Sequence, residues 1–299
     1  MPSRDRGSRG VLLVAASVAV AVSLVLVIGY GVLGWGSSGA STPPPLRPAS
    51  GLSITFAANS EAEVNFLLTT ARPYIASNDS FDLVSGSPEN SSLSVSNVNH
   101  EAQELHAAYP SLTIYAHTAG IDHYSEMTAG LGSGISGVLY DYEPGFEPEF
   151  TLNFSQTIAN FENATALAHA HGLQSVGYPI GRLLLNRTDQ QYGWNYATLS
   201  LAVDQMVLQV QTYCVQGPST YSTAVETALG QYRTADLSTV PTFQITIGNA
   251  TTRLPNGVTA TPAFDCAQQL SYLGLHSLYL WWDQGGESNV IAFLEDLGR

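Results

Sequence analysis

Beyond residue 50 the chain alternates short apolar runs of strand type with longer amphipathic stretches. The runs are LSITFAA, FDLVSG, SLTIYAH, GVLYDYE, LQSVGYP, QMVLQVQTY, TFQITIG and SLYLWW, starting near residues 52, 81, 111, 137, 173, 205, 242 and 277. Their spacing is about 32 residues, the length of one strand–helix unit. Between them lie segments with helical periodicity, such as AEVNFLLTTARPYIA and NFSQTIANFENATALAHAHG, the second closing on a glycine as helix C-termini commonly do. Eight such units in roughly 245 residues predict an α/β fold, a closed (β/α)8 TIM barrel over 51–299, with an open doubly wound sheet as the second choice.

The runs also alternate internally. Thr55, Ala57 and Asn59 share one strand face, as do Thr113, Tyr115 and His117, then Gln209, Gln211 and Tyr213, and Gln244 with Thr246. The opposite faces carry Ile54, Phe56, Ile114, Met206, Leu208, Phe243 and Ile245, which should pack on a ring of helices. The polar faces then point into the barrel and line a cup at the carboxyl ends of the strands, where such barrels keep their sites.

Ahead of this domain stands a different pattern. A short basic end, residues 1–10 with Arg4, Arg6 and Arg9, is followed by a charge-free apolar run over 11–35. About 20 apolar residues span a bilayer, so the run is expected to be one transmembrane signal anchor with its basic flank in the cytoplasm. The domain then lies outside the cell membrane, tethered by the Ser/Gly/Pro linker 36–50. Cleavage near Ser38 and Ala40 would release it as a secreted protein. Two features suit that location. Asn78, Asn90, Asn153, Asn163, Asn186 and Asn249 each open an N-x-S/T glycosylation sequon, and the only two cysteines, Cys214 and Cys266, read as a disulfide bond.

Composition narrows the chemistry. Lysine is absent, which excludes Schiff-base, pyridoxal-phosphate and P-loop mechanisms. A net charge of −14 opposes nucleic-acid binding. There is no G-x-S-x-G elbow, no G-x-G-x-x-G that opens a helix and no H-E-x-x-H, so no cofactor or metal is expected. His117 and His123 around Asp122 make at most a weak metal pattern, and His169 and His171 suit the negative end of a helix.

The most informative stretch is ISGVLYDYEPGFEPEF. Asp141 and Glu143 point the same way at the end of strand 4, with Cα atoms roughly 6 to 7 Å apart. Two neighbouring acids split their pKa values, so a protonated Glu143 can donate to a leaving oxygen while an ionised Asp141 stabilises positive charge. Glu147 and Glu149 read as a solvated acidic loop. Aromatic Tyr115, Tyr178, Trp194 and Trp282 lie near strand ends and suit a sugar groove, and Arg182 is a cation available to an acidic sugar.

SGVLYDYE resembles the strand-4 signature D-G-x-D-x-D-x-E of glycoside hydrolase family 18, the chitinases and endo-β-N-acetylglucosaminidases. Gly137, Asp141 and Glu143 match, while Ser136 and Leu139 replace the other two acids. Strand 6 is similar to the plant-type strand supplying a Gln and a Tyr, with Gln209 on the Gln and Gln211 in the tyrosine's place, and Tyr213 within reach. Strand 8 resembles the strand ending in a sugar-flooring Trp, here Trp282 before Asp283. The family's strand-3 S-x-G-G is absent. The resemblance implies a retaining, substrate-assisted hydrolase of N-acetylated polysaccharide or glycan: Glu143 is the acid, Asp141 holds the 2-acetamido group, and Gln209, Gln211, Tyr213, Trp282, Tyr178 and Tyr115 bind sugar. Leu139 and Gln211 favour the alternative, a non-catalytic carbohydrate-binding pseudo-enzyme. A two-carboxylate retaining glycosidase with Asp283 or Asp122 as nucleophile is a third reading. Oligomeric state stays open.

Overall fold

The computed structural model describes residues 51–85, 94–181, 193–234, 239–248, 257–282 and 285–299. The anchor and linker, 1–50, therefore lie outside the described residues, as do Asn90, Asn186, Asn249, Arg182 and Asp283. Among the described residues no helix is long and apolar enough to cross a membrane.

The described residues form eight strands: β1 (Ser53–Ala58), β2 (Ser80–Val84), β3 (Thr113–Ala119), β4 (Gly137–Tyr142), β5 (Gln174–Pro179), β6 (Gln205–Leu208), β7 (Thr242–Ile247) and β8 (Ser277–Trp282). All neighbours are parallel and β8 returns to β1, pairing Ser277 with Ser53, so the sheet is a closed barrel in chain order. The open sheet is excluded. Between the strands lie helices α1 (Glu61–Leu68), α2 (Val95–Ala108), α3 (Ile121–Gly130), α4 (Phe154–Ala170), α5 (Tyr196–Ser200), α6 (Gln211–Val215), α7 (Pro218–Thr234), α8 (Ala260–Tyr272) and α9 (Glu287–Asp296). Ser60, Ser94, Asn153 and Asn195 cap α1, α2, α4 and α5, each side chain accepting from a backbone N–H of the first turn. α4 ends as its sequence indicates, on Gly172 at φ 73°, with the Leu173 N–H reaching back to the Ala168 carbonyl. α1 is shorter than its apolar pattern suggests. It stops at Leu68, and Arg72–Tyr74 forms a separate 3-10 turn, because Pro73 cannot supply an N–H and restricts the residue before it.

Two cores result from the alternation. Ile54, Phe56, Phe81, Ile114, Leu208, Phe243 and Ile245 pack outward against the helices. A smaller cluster inside the barrel holds Ala57, Val84, Leu139, Val176, Tyr178, Val207 and Tyr279, and above and among these sit the polar Asp82, His117, Gln209, Gln244 and Thr246. Cys214 on α6 and Cys266 on α8 form the disulfide. In chain-entropy terms closing so long a loop contributes about 4 kcal/mol. Asn78, Asn153 and Asn163 are exposed.

One buried acid stands out in the helix layer. Glu101 on α2 is 2% exposed and, among the described residues, neither carboxyl oxygen has a hydrogen-bond partner. Burial, then the charges of Glu61 and Glu104, raise its pKa from 4.5 to about 7. The folded-state value lies above the unfolded one, so this residue's stability contribution is intact below pH 4.5 and is lost as pH rises through about 7. Glu101→Gln is expected to raise the stability of the domain at pH 8 by about 1 to 3 kcal/mol and to change it little at pH 4. Urea melts of both proteins at the two pH values check this, and an equal difference at both would refute it.

Candidate active site

β4 carries the acids to two different places. Asp141 is the last lumen-facing residue of the strand and is 7% exposed, whereas Glu143 lies just past the strand end and is half-buried at the rim. Gln209, at the end of β6, connects them. Its Nε2 donates to Asp141 Oδ1 at 3.2 Å and to the Tyr178 carbonyl at 3.1 Å, and the residue also borders a cleft of about 220 Å³ shared with Glu143, Phe146, Ile180, Gln211 and Thr212. Gly181 makes this placement possible. A Cβ there would sit 1.9 Å from the Gln209 carbonyl oxygen, so only glycine lets the end of β5 pass so close to β6.

Below Asp141 a polar chain crosses the lumen. The register sets Val84 and Leu139 level with His117, which puts Asp82 one step beneath the imidazole and Asp141 one step above it. His117 Nδ1 is 2.8 Å from Asp82 Oδ2, and Nε2 is 3.4 Å from Asp141 Oδ2. The Tyr279 hydroxyl donates to the same Asp82 oxygen at 2.5 Å. The Tyr178 ring meets the imidazole edge-on at 4.8 Å and its hydroxyl donates to Gln244 Oε1 at 2.6 Å. Burial alone would lower the imidazole pKa, but the charge of Asp82 and the contacts with Asp141 and Asp82 outweigh it and push it up to about 10. Burial also raises the Asp141 carboxyl above its ordinary range, opposed by His117 and Gln209. Burial, then the nearby acids, holds the phenols of Tyr178 and Tyr279 well above 10, so both remain neutral donors.

Several residues read from the sequence as site residues fall elsewhere. Trp282 is fully buried outside the barrel, against Phe56 and Phe66; with a side-chain period of two it is Trp281 that faces the lumen, 6.0 Å from the His117 ring. Tyr115 points inward but at the amino end, level with Gly137, its hydroxyl reaching Gln205 Oε1 at 3.5 Å. β6 ends at Leu208 and α6 begins at Gln211, so the expected strand face Gln209–Gln211–Tyr213 does not continue. Gln211 still borders the cleft, with an Oε1 that has no hydrogen-bond partner among the described residues. Tyr213 instead packs against the outer core. Trp194 is a core residue stacked near Phe154 and Tyr142, donating to the Leu152 carbonyl. Glu147, expected in a solvated loop, is buried and accepts from the N–H groups of Gly120 and Glu149, while Glu149 is exposed.

His123 sits on α3 beside Glu126, apart from His117, and Asp122 is exposed in the first turn of α3. No group of three metal-binding side chains occurs among the described residues. His169 pairs with Asp204 at 2.9 Å rather than only facing a helix end. Sequence reasoning missed Asp82 and Tyr279. The available signal for both was the alternation of β2 and β8, which places them on the His117 side of the sheet.

No protein-family model matches this chain, and no curated protein sequence matches it significantly. Solved structures match in fold. The glycoside hydrolase domain of PgaB (BpsB) from Bordetella bronchiseptica superposes with a TM-score of 0.56 and 9% identity, covering 80% of this chain and 95% of that one. A class V chitinase from Pseudomonas fluorescens gives 0.53 and 11%, covering 82% and 98%. A tryptophan synthase α-subunit from Pyrococcus furiosus gives 0.50 and 13%, covering 83% and 97%. At these identities the likeness shows the barrel fold alone.

Proposed function

We propose that the barrel is an extracytoplasmic glycoside hydrolase of N-acetylated polysaccharide or glycan, held at the cell membrane by the apolar run 11–35. One observation carries the reading: a buried carboxylate, Asp141, accepts from Gln209, and Gln209 borders a cleft that a second carboxyl, Glu143, also lines. The site is at the carboxyl ends of the strands, where barrels of this kind do their chemistry. Glu143, at the rim, protonates the departing glycosidic oxygen and then, as a carboxylate, takes a proton from the water that attacks the anomeric carbon and opens the cyclic intermediate. Asp141 accepts the acetamido N–H and steadies the positive charge that develops when the acetamido carbonyl closes on the anomeric carbon, so no enzyme nucleophile is required. The amide of Gln211 offers a donor to the same group while Gln209, both of whose N–H groups are taken, holds Asp141 in place, and Trp281 offers an aromatic face at the mouth. The fold likeness to glycoside hydrolase domains agrees with this reading.

The test is product stereochemistry. Oligomers of β-linked N-acetylglucosamine are expected to yield the β-anomer first, followed by NMR, while the matching glucose oligomers, which lack the acetamido group, are left intact. Inversion, or equal cleavage of both polymers, would overturn the mechanism. Binding of the oligomers without any product would support a second reading, a sugar-binding barrel. That reading is favoured by Leu139, which fills the lumen where a proton-sharing acid would stand, and by the near-complete cover over Asp141.

A further inference from the structure

We infer that the Asp82–His117 pair is a positioning device that keeps Asp141 ionised and aimed at the cleft, doing with an imidazolium what Leu139 cannot do as its strand neighbour. The inference rests on the proposed role of Asp141.

Three observations carry it. First, the imidazole, on β3, is wedged between two buried carboxylates on the flanking strands, Asp82 on β2 and Asp141 on β4, with residue exposures of 0% and 7% and that of His117 itself 1%. Two such acids cannot both stay charged in a sealed lumen without a counter-charge. Second, among the described residues no other cation is at hand: Arg72, Arg233 and Arg299 all stand outside the lumen, where His117 is the one basic group described. Third, the groups packed round the ring from every side fix its state. Tyr279 on β8 donates to Asp82 and lies 3.4 Å from Nδ1, Tyr178 on β5 covers one edge, and Trp281 stands on the mouth side. Of these only the Tyr279 hydroxyl, which donates to Asp82, comes within hydrogen-bond reach of the ring, and it carries no charge to balance that of an imidazolium.

The contact with Asp141 is looser than the contact with Asp82. At 3.4 Å the Nε2 group is at ion-pair distance from Oδ2 but has no aligned hydrogen bond, and Asp82 Oδ1 is likewise unpartnered among the described residues. The tight bond therefore belongs to Asp82, which orients the ring and stabilises its charge. The looser one leaves the Asp141 carboxylate free to serve the cleft. The raised imidazole pKa agrees with this division of labour.

The consequence is directional. Asp141 must be ionised to accept the acetamido N–H, so the acid limb of the kcat profile follows its titration. Removing the imidazolium leaves burial unopposed and raises that titration. In His117→Gln the acid limb is expected to move up by about 1 to 3 pH units, with kcat at neutral pH falling at least tenfold and KM changing little. Asp82→Asn should move the limb in the same direction by less. A merely structural histidine would lower activity evenly across pH, so an unmoved limb overturns the inference.

NMR of the His117 ring decides the matter without turnover. The wild-type ring should stay an imidazolium through pH 8, and in Asp82→Asn or Asp141→Asn, which add no bulk, it should lose its proton at lower pH. A neutral wild-type ring at pH 7, or a titration unchanged in both variants, overturns the inference even if His117→Gln fails to fold. A barrel that cleaves no N-acetylated oligomer yet shows the coupled imidazolium would refute the hydrolase reading alone.

Discussion

Exchanging Glu143 for glutamine is expected to cut kcat for an unactivated N-acetylated oligomer by roughly 100- to 10,000-fold while leaving oligomer affinity within a few fold. The amide keeps the size and the rim position of the carboxyl but has no proton to give. Glu143 is half-buried beside Phe146 and Gln211 rather than in a packed core, so the substitution creates no cavity and the fold should be untouched. The sharper measurement uses leaving groups of graded acidity. A nitrophenyl group departs without protonation, so Glu143→Gln should release it in a first turnover at close to the wild-type rate, while the natural sugar leaving group should suffer the full loss. A uniform loss across leaving groups would mean that Glu143 shapes the cleft instead of protonating the substrate. The basic limb of the pH profile should vanish with the acid, which ties the same residue to a second readout.

How far the sequence discloses this arrangement depends on which physical signal each part leaves behind. The barrel was readable because eight strand–helix units impose a long period, and because Ile54, Phe56, Phe243 and Ile245 alternate with polar positions that the closed sheet turns inward. The acids on β4 were readable because they stand together. Asp82, His117, Asp141 and Tyr279 come from β2, β3, β4 and β8, and only the register of a closed sheet brings them into one chain of contacts.

The misplaced residues have separate causes. Trp281 and Trp282 are adjacent and chemically alike, so a shift of one residue exchanges core and lumen. Gln211 and Tyr213 part company because α6 takes over after Gln209, and two residues on a helix lie about 200° apart instead of sharing a face. Glu147 looked solvated because its partners are backbone N–H groups, which leave no mark in a sequence.

Arg299→Ala is expected to destabilise the barrel by about 3 to 5 kcal/mol, the cost of leaving a buried acid without its partner. Asp79, just ahead of β2, has a side chain that is 0% exposed, and Arg299 grips both its oxygens, at 2.5 Å through Nη1 and 3.0 Å through Nη2. The same guanidinium donates to the Leu52 and Tyr74 carbonyls, and Asp79 also accepts from the N–H groups of Ile54 and Ala76 at 2.7 Å each. These contacts gather the approach to β1, the 3-10 turn and the approach to β2 at the seam where β8 closes on β1. A domain of this size should melt roughly 10 °C lower in the variant. Because the pair is buried, the loss should persist at 1 M salt, where a surface ion pair would be screened away. Asp79→Asn keeps an acceptor for the two backbone N–H groups, so it should cost less alone and should recover part of the loss when added to Arg299→Ala. Additive losses in the double variant would show that the two residues stabilise the seam independently and that the ion pair is not what closes it.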